Sequence, residues 1–202
     1  AKVNLQAGQN FTTLKGPDSS NTKTFTVITS LGSPGSITRT DLQGMNGNLF
    51  GNYALGADID ATETASWNNG AGFTPVGNFY GGFEGLGHSI SNLTIHSSYD
   101  CVGLFGYAQD VTIQNLSLFG GSIQGITYVG SLVGSMGGGN LNNIVIQDLS
   151  VLAVSDGEYG MAIGGLVGTK NSGAINHVVV ENVNVDLVAQ SLANVGGLAG
   201  SK

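Results

Sequence analysis

The sequence predicts an all-β chain wound as a parallel β-solenoid, a right-handed β-helix with coils of 28–34 residues. Three observations carry this. A glycine phrase recurs, as CVGLFG at 101–106, YVGSLVG at 128–134, AIGGLVG at 162–168 and NVGGLAG at 194–200, and its last glycines, Gly106, Gly134, Gly168 and Gly200, lie 28, 34 and 32 residues apart. Self-similarity at such a period is the signature of stacked repeats. Between the phrases stand alternating apolar segments, VTIQNLSL at 111–118, IVIQDLSV at 144–151 and VVVENVNV at 178–185, with an earlier HSISNLTI at 88–95; alternation is the strand pattern. Helix signals are nearly absent, because Gly and β-branched residues interrupt every candidate.

Taken in order, residues 1–40 hold two strand-like stretches, VNLQAGQNFTTL and TKTFTVITS, read as a preceding coil or an N-terminal cap. Residues 41–87 form a first coil with a Gly/Asn-rich insert, SWNNGAGFTPVGNFYGGF. Residues 88–202 are the repeats, each coil contributing two or three short strands, with VSDGEYG at 154–160 as an outward loop. The alternating segments align on one Asn/Asp column, Asn92, Asn115, Asp148 and Asn182. The three-residue step from Ile113 to Leu116 breaks period two, and a corner at this column restores inward pointing on both sides. Asn and Asp tolerate the left-handed backbone that a corner needs, so the column is expected to form a side-chain ladder along the axis. The phrase glycines are expected where coils approach too closely for a Cβ, with Leu and Val between them in the core. The whole chain, 1–202, is read as one solenoid segment of something longer, since it stops directly after a phrase. Exposed edges at both ends predict end-to-end association.

Composition excludes several classes. A net charge of −7 with six scattered basic residues leaves no basic face for nucleic acid or an anionic membrane. No apolar run reaches the length that spans a bilayer. Hydrophobic content of 41% argues against disorder. Cys101 is the single cysteine, which rules out an internal disulfide; a structural thiol is its expected role.

The phrases G-L-[FV]-G and G-G-L-[VA]-G resemble the GLUG motif of large bacterial exoproteins. Residues 51–95 strengthen the likeness through Tyr53-Ala54-Leu55, Asp58-Ile59-Asp60, Trp67, Phe73-Thr74-Pro75-Val76-Gly77, Phe83, Gly85 and Gly87-His88-Ser89-Ile90. This stretch is similar to the one that precedes GLUG repeats in filamentous-haemagglutinin-like adhesins of the two-partner secretion route. The resemblance covers about residues 40–202. It implies a secreted, cell-surface virulence factor serving cell adhesion or biofilm cohesion, with an outer-membrane secretion partner for the parent chain. It implies host or bacterial glycan, exopolysaccharide or protein as partners, and no catalytic residues or cofactor. The motif also occurs outside the catalytic domain of surface peptidases, so a non-catalytic peptidase stalk is one alternative; no HExxH is present.

A carbohydrate-active β-helix enzyme is the other alternative. Such chemistry needs paired carboxylates or a positioned base, and the acids here are dispersed, so no enzyme is expected. Asp58 and Asp60, two apart on one strand face, with Glu63 nearby, are candidate calcium ligands; Asp156 and Glu158 lie together in a loop. For binding, exposed aromatics stack on sugars and anchor interfaces; the candidates are Trp67, Phe79 and Tyr80, with Tyr99, Tyr107, Tyr128 and Tyr159 as further residues that add to such a surface, and core positions as the competing role for Trp67 and Phe73. Two classes remain beside the enzyme: a module that itself contacts glycan or protein, and a stalk that only projects other parts.

Overall fold

Short apolar runs broken by Gly and Asn cannot bury themselves alone, so each pairs with its counterpart one coil on. In a computed structural model, which describes residues 1–14, 22–155, 160–189 and 193–201, the chain winds into a β-solenoid of about six turns. Strands of successive coils pair in parallel, with one isolated antiparallel bridge from Gly72 to Ile95; in one row Ile113 faces Leu141 and Leu141 faces Ile175, steps of 28 and 34 residues.

Each full coil contributes five strand columns, more than the two or three expected. The first runs through Thr22–Ile28, Tyr53–Leu55 and Gly82–Glu84 into the leading parts of Val111–Gly125, Gly139–Gln147 and Ala174–Glu181. The second takes Ile59–Asp60, the start of Ser89–His96 and the next stretch of those same long strands. The third holds the end of Ser89–His96 and of Val111–Gly125, then Ser150–Ser155 and Asn184–Ala189. The fourth is Cys101–Val102, Tyr128–Gly130, Met161–Gly164 and Ala193–Gly196. The fifth is Val76–Phe79, Phe105–Ala108, Val133–Met136, Val167–Lys170 and Ala199–Ser201.

Two left-handed corners per coil separate the first three columns, where one was expected. Asn115, Asn143 and His177 make the first, with φ of 57°, 54° and 52°. Asn92, Gly120, Asp148 and Asn182 make the second, with φ of 59°, 63°, 56° and 51°. Asn115 therefore does not share a column with Asn92, Asp148 and Asn182; Gly120 stands in that place. The two corners carry nearly the same local phrase, QNLSL and QDLSV, so likeness of sequence aligned residues that lie on different edges of the coil. Each corner has its own ladder. Asn143 Nδ2 donates to Asn115 Oδ1 (2.8 Å) and Asn115 Nδ2 to Glu84 Oε1 (2.8 Å). Asn182 Nδ2 donates to Asp148 Oδ1 (3.2 Å), and Asn92 Nδ2 to Asp60 Oδ1 (3.2 Å).

Inward rows form one continuous core, such as Phe83–Ile113–Leu141 and Ile90–Leu118–Ile146. Each such side chain, fully buried, contributes about 1.5–3 kcal/mol relative to exposure. In the last coil Val195 and Leu198 stay exposed, with no further coil above them among the described residues.

The opposite end is covered in part, with Gly8–Leu14 itself the outermost strand of its sheet. Gly8–Leu14 adds antiparallel to Thr22–Ile28. The amide of Gln43 clamps Thr74 through both backbone groups (3.1 and 2.9 Å), and Asn46 does the same to Pro75 O and Gly77 N (3.3 and 3.0 Å). Two side-chain amides thus stand in for a strand along the first edge of the fifth column, a standard way to blunt an edge.

Candidate functional site

The glycine phrases build a double wall. In each, a fourth-column strand turns over two residues into a fifth-column strand. Leu104, Leu132 and Leu166 at these turns are wholly buried, and a Cβ on Gly165, one residue before Leu166, would lie 2.9 Å from Val180 Cγ1 on the facing wall of the core. The turn therefore points inward. The two strands lie back to back with backbone against backbone: a Cβ on Gly134 would lie 2.4 Å from Val102 N, and one on Gly168 2.5 Å from Val129 N. Ser131, also buried, donates to Gly165 O of the next coil (2.5 Å).

Where the two strands part toward solvent they leave a lateral cleft. The fourth column begins at Cys101–Val102, which pairs on one side only, whereas the fifth begins a coil earlier at Val76–Phe79. One rung is thus missing from the fourth column, and two adjoining cavities occupy the notch. The larger, about 430 Å³, is lined by Pro75, Asn78, Tyr99, Cys101 and Tyr107 with two glycines. The smaller, about 280 Å³, lies among Asn68, Thr74, His96, Ser97, Ser98 and Tyr99 and neighbouring residues. Tyr99 and Pro75 belong to both. Tyr99 is 62% exposed, its amide held by Ser97 Oγ (3.1 Å). Tyr107 donates to Gln109 Oε1 (2.6 Å), whose amide donates to Asp110 (2.8 Å). Burial, aided by the Asp100 carboxylate, raises the Cys101 thiol above its ordinary pKa, so this thiol is a weak nucleophile at neutral pH.

The structure distributes the sequence candidates differently. Trp67 and Phe79 are buried in the core, Phe79 against Phe105 at 4.9 Å between ring centres, and offer no binding surface. Their insert reads as polar and loose because its Gly and Asn residues turn the chain, while its aromatics fill the first coil. Tyr80 is partly exposed and stacks on the exposed Phe50 (4.9 Å, 9°). Tyr159, with Asp156 and Glu158, lies outside the described residues. Tyr99 and Tyr107, two of the further tyrosines offered by the sequence, flank the cleft, Tyr99 being the more exposed; what the sequence does not show is the shortened column beside them.

The three carboxylates proposed for calcium do not converge. Asp58 Oδ2 takes Lys2 Nζ (2.5 Å), while Oδ1 accepts from Ser89 N (2.9 Å) and faces His88 Nδ1 (3.2 Å). These partners, the Lys2 contact first, hold its carboxyl well below the usual range. Asp60 bonds Thr62 and Asn92 and is lowered by them. No group of three or more His, Cys, Asp or Glu side chains able to hold a metal occurs among the described residues. The Asp58 cluster is instead a clasp: buried His88 also contacts Val3 O (3.0 Å), and Val3 N bonds Leu86 O (3.1 Å), so the first residues are strapped across the coils.

Fold and cleft together define a β-solenoid segment with a lateral, aromatic-flanked notch. No family model matches the chain, and no solved structure matches it. Among curated proteins, Halomucin of Haloquadratum walsbyi is 39% identical over 128 residues, 60% of this chain. The match spans 1% of Halomucin's length, so this chain compares with a very small part of a very large protein.

Proposed function

We propose that this chain is a non-catalytic solenoid segment of a very large secreted or cell-surface protein that serves attachment or cell-to-cell cohesion. The observation that carries it is the pairing of a self-stacking parallel solenoid with likeness to a minute fraction of a giant protein. A solenoid grows by adding coils to an unchanged cross-section, which suits a long surface chain. The likeness of the glycine phrases to GLUG repeats of secreted adhesins supports the same reading, and with it the two-partner secretion route for the parent. The two buried carboxylates among the described residues support a non-catalytic role, since they serve structure: Glu84 accepts from Leu86 N, Gln114 and Asn115 (2.9, 2.6 and 2.8 Å), and Asp41 from Gly44 N (2.7 Å).

The test is antibody labelling of intact source cells with an antiserum to this chain, followed by aggregation assays in the presence of the purified 202-residue chain. Surface labelling and competition with aggregation are expected. Labelling only after cell lysis overturns the reading.

A further inference from the structure

We infer that the notch beside Cys101–Val102 is a carbohydrate site, and that it takes a run of neutral hexoses from a surface polysaccharide with Tyr99 as the stacking platform between two sugar positions. This deepens the attachment reading above and rests on it.

Four observations lead here. First, the notch is built into the fold, because the fourth column lacks the rung that the fifth column has at Val76–Phe79. Second, two cavities of about 280 and 430 Å³ adjoin across one exposed tyrosine, an arrangement suited to consecutive rings of a chain rather than one compact ligand. Third, the lining is of the mixed kind that reads sugars: Tyr99 and Tyr107 supply ring faces and a hydroxyl, while Asn78, Ser98 and Thr74 bring amide and hydroxyl groups. Tyrosine gives a large contact at low entropic cost, with an apolar face and a polar tip, matching the C–H face and hydroxyl rim of a pyranose. Fourth, no Asp, Glu, Lys or Arg lines either cavity among the described residues. With the chain's net charge of −7, this favours a neutral polymer over an anionic one, which would meet no Lys or Arg in the lining and only the single imidazole of His96. A peptide strand completing the missing rung is the competing occupant, but the free edge is only the two residues Cys101–Val102, too short for the main-chain bonding that strand addition relies on.

The experiment titrates the 202-residue chain with short cello-, malto- and manno-oligosaccharides by calorimetry, beside a uronate oligosaccharide and an unrelated extended peptide. Tyr99→Ala and Asn78→Ala are run in parallel, with Tyr80→Ala as a variant outside the notch. Circular dichroism confirms that each is folded. A second readout is alkylation of Cys101, at the edge of the larger cavity, at mildly alkaline pH with and without sugar. Saturable binding of at least one neutral series is expected. It should weaken about tenfold or more in Tyr99→Ala, stay unchanged in Tyr80→Ala, and slow Cys101 alkylation. Preference for the uronate or the peptide, or neutral-sugar binding that leaves Cys101 alkylation and Tyr99→Ala affinity unchanged, overturns the site. If the chain still blocks cell aggregation while Tyr99→Ala blocks it equally well, the site falls and the attachment reading stands. Failure of both aggregation and sugar binding removes the two together.

Discussion

Gly168→Ala tests the double wall most directly. Its Cβ would sit 2.5 Å from Gly134 O and Val129 N and 2.8 Å from Tyr128 C, all backbone atoms of strands it packs against. Ordinary contact begins at 3.4 Å, and no rotamer change relieves a backbone clash. The strands must therefore part, breaking register with the coils on either side. Overpacking costs about 1–3 kcal/mol, and rigid backbone neighbours place this case at the upper end. Replacing Gly by Ala also restricts the unfolded chain, a gain of about 0.4–1 kcal/mol. The net expectation is a loss of about 2 kcal/mol. Gly197→Ala is the internal control, from the same phrase one coil on: nothing lies within 4 Å of its Cβ, and its φ is outside the left-handed range. Only the unfolded-chain gain remains there, so it should be neutral or slightly stabilising. Urea midpoints by circular dichroism, at matched slopes, should separate the two variants by about 2–3 kcal/mol. Equal midpoints would mean that the walls yield freely, and the packing account of the repeated glycines would be wrong.

Three further outcomes follow from the corners, the clasp and the thiol. Asp148 sits at φ 56° in a column where Gly120 already occurs; Asp148→Gly should change stability by no more than about 0.5 kcal/mol, whereas Asp148→Val should cost about 1–2 kcal/mol, both read by thermal melting. Asp58 and Asp60 have lowered pKa values in the fold, so the stability they contribute is full above the unfolded carboxylate value of about 4 and is lost as pH falls below it; melts from pH 7 to 2 should show the decline, and Asp58→Asn should flatten it while raising hydrogen exchange at the Val3 amide. The Cys101 thiol, raised chiefly by burial and then by Asp100, should react more slowly than free cysteine at pH 7 and speed up with alkali; Asp100→Asn should recover only part of the difference.

The solenoid was legible because its cause is periodic. Glycine phrases at 28- to 34-residue spacing and alternating apolar rows report directly on coil length and inward pointing. The placing of Asn115 was not, because both corners of a coil demand the same left-handed residue with the same flanks, and only the pairing of Phe119 with Ser91 and Gln147 tells them apart. The aromatic candidates misled for a related reason: Trp67 and Phe79 lie among turn residues, yet their side chains fill the core, Phe79 between Tyr53 and Phe105. The amide clamps of Gln43 and Asn46 carry no pattern at all, since any polar residue at the right height looks the same in a string. The notch at Tyr99 is likewise an absence, a rung not supplied, and absences leave little trace in composition.

The five-column cross-section also acts as a ruler. Adjacent strands lie about 4.8 Å apart, and one such step consumes 28 residues between Ile113 and Leu141 and 34 between Leu141 and Ile175. An α-helix advances about 1.5 Å for every residue, so this chain gains reach roughly ten times more slowly. What it gains instead is girth and stiffness, with every increment of length the same size whatever the coil contains. The six-residue difference between those two coils falls between Ala153 and Ala162, and the rows on either side of it still pair in register. Deleting or duplicating one whole coil would shorten or lengthen the solenoid by one fixed notch of the scale, with all other rows still in register.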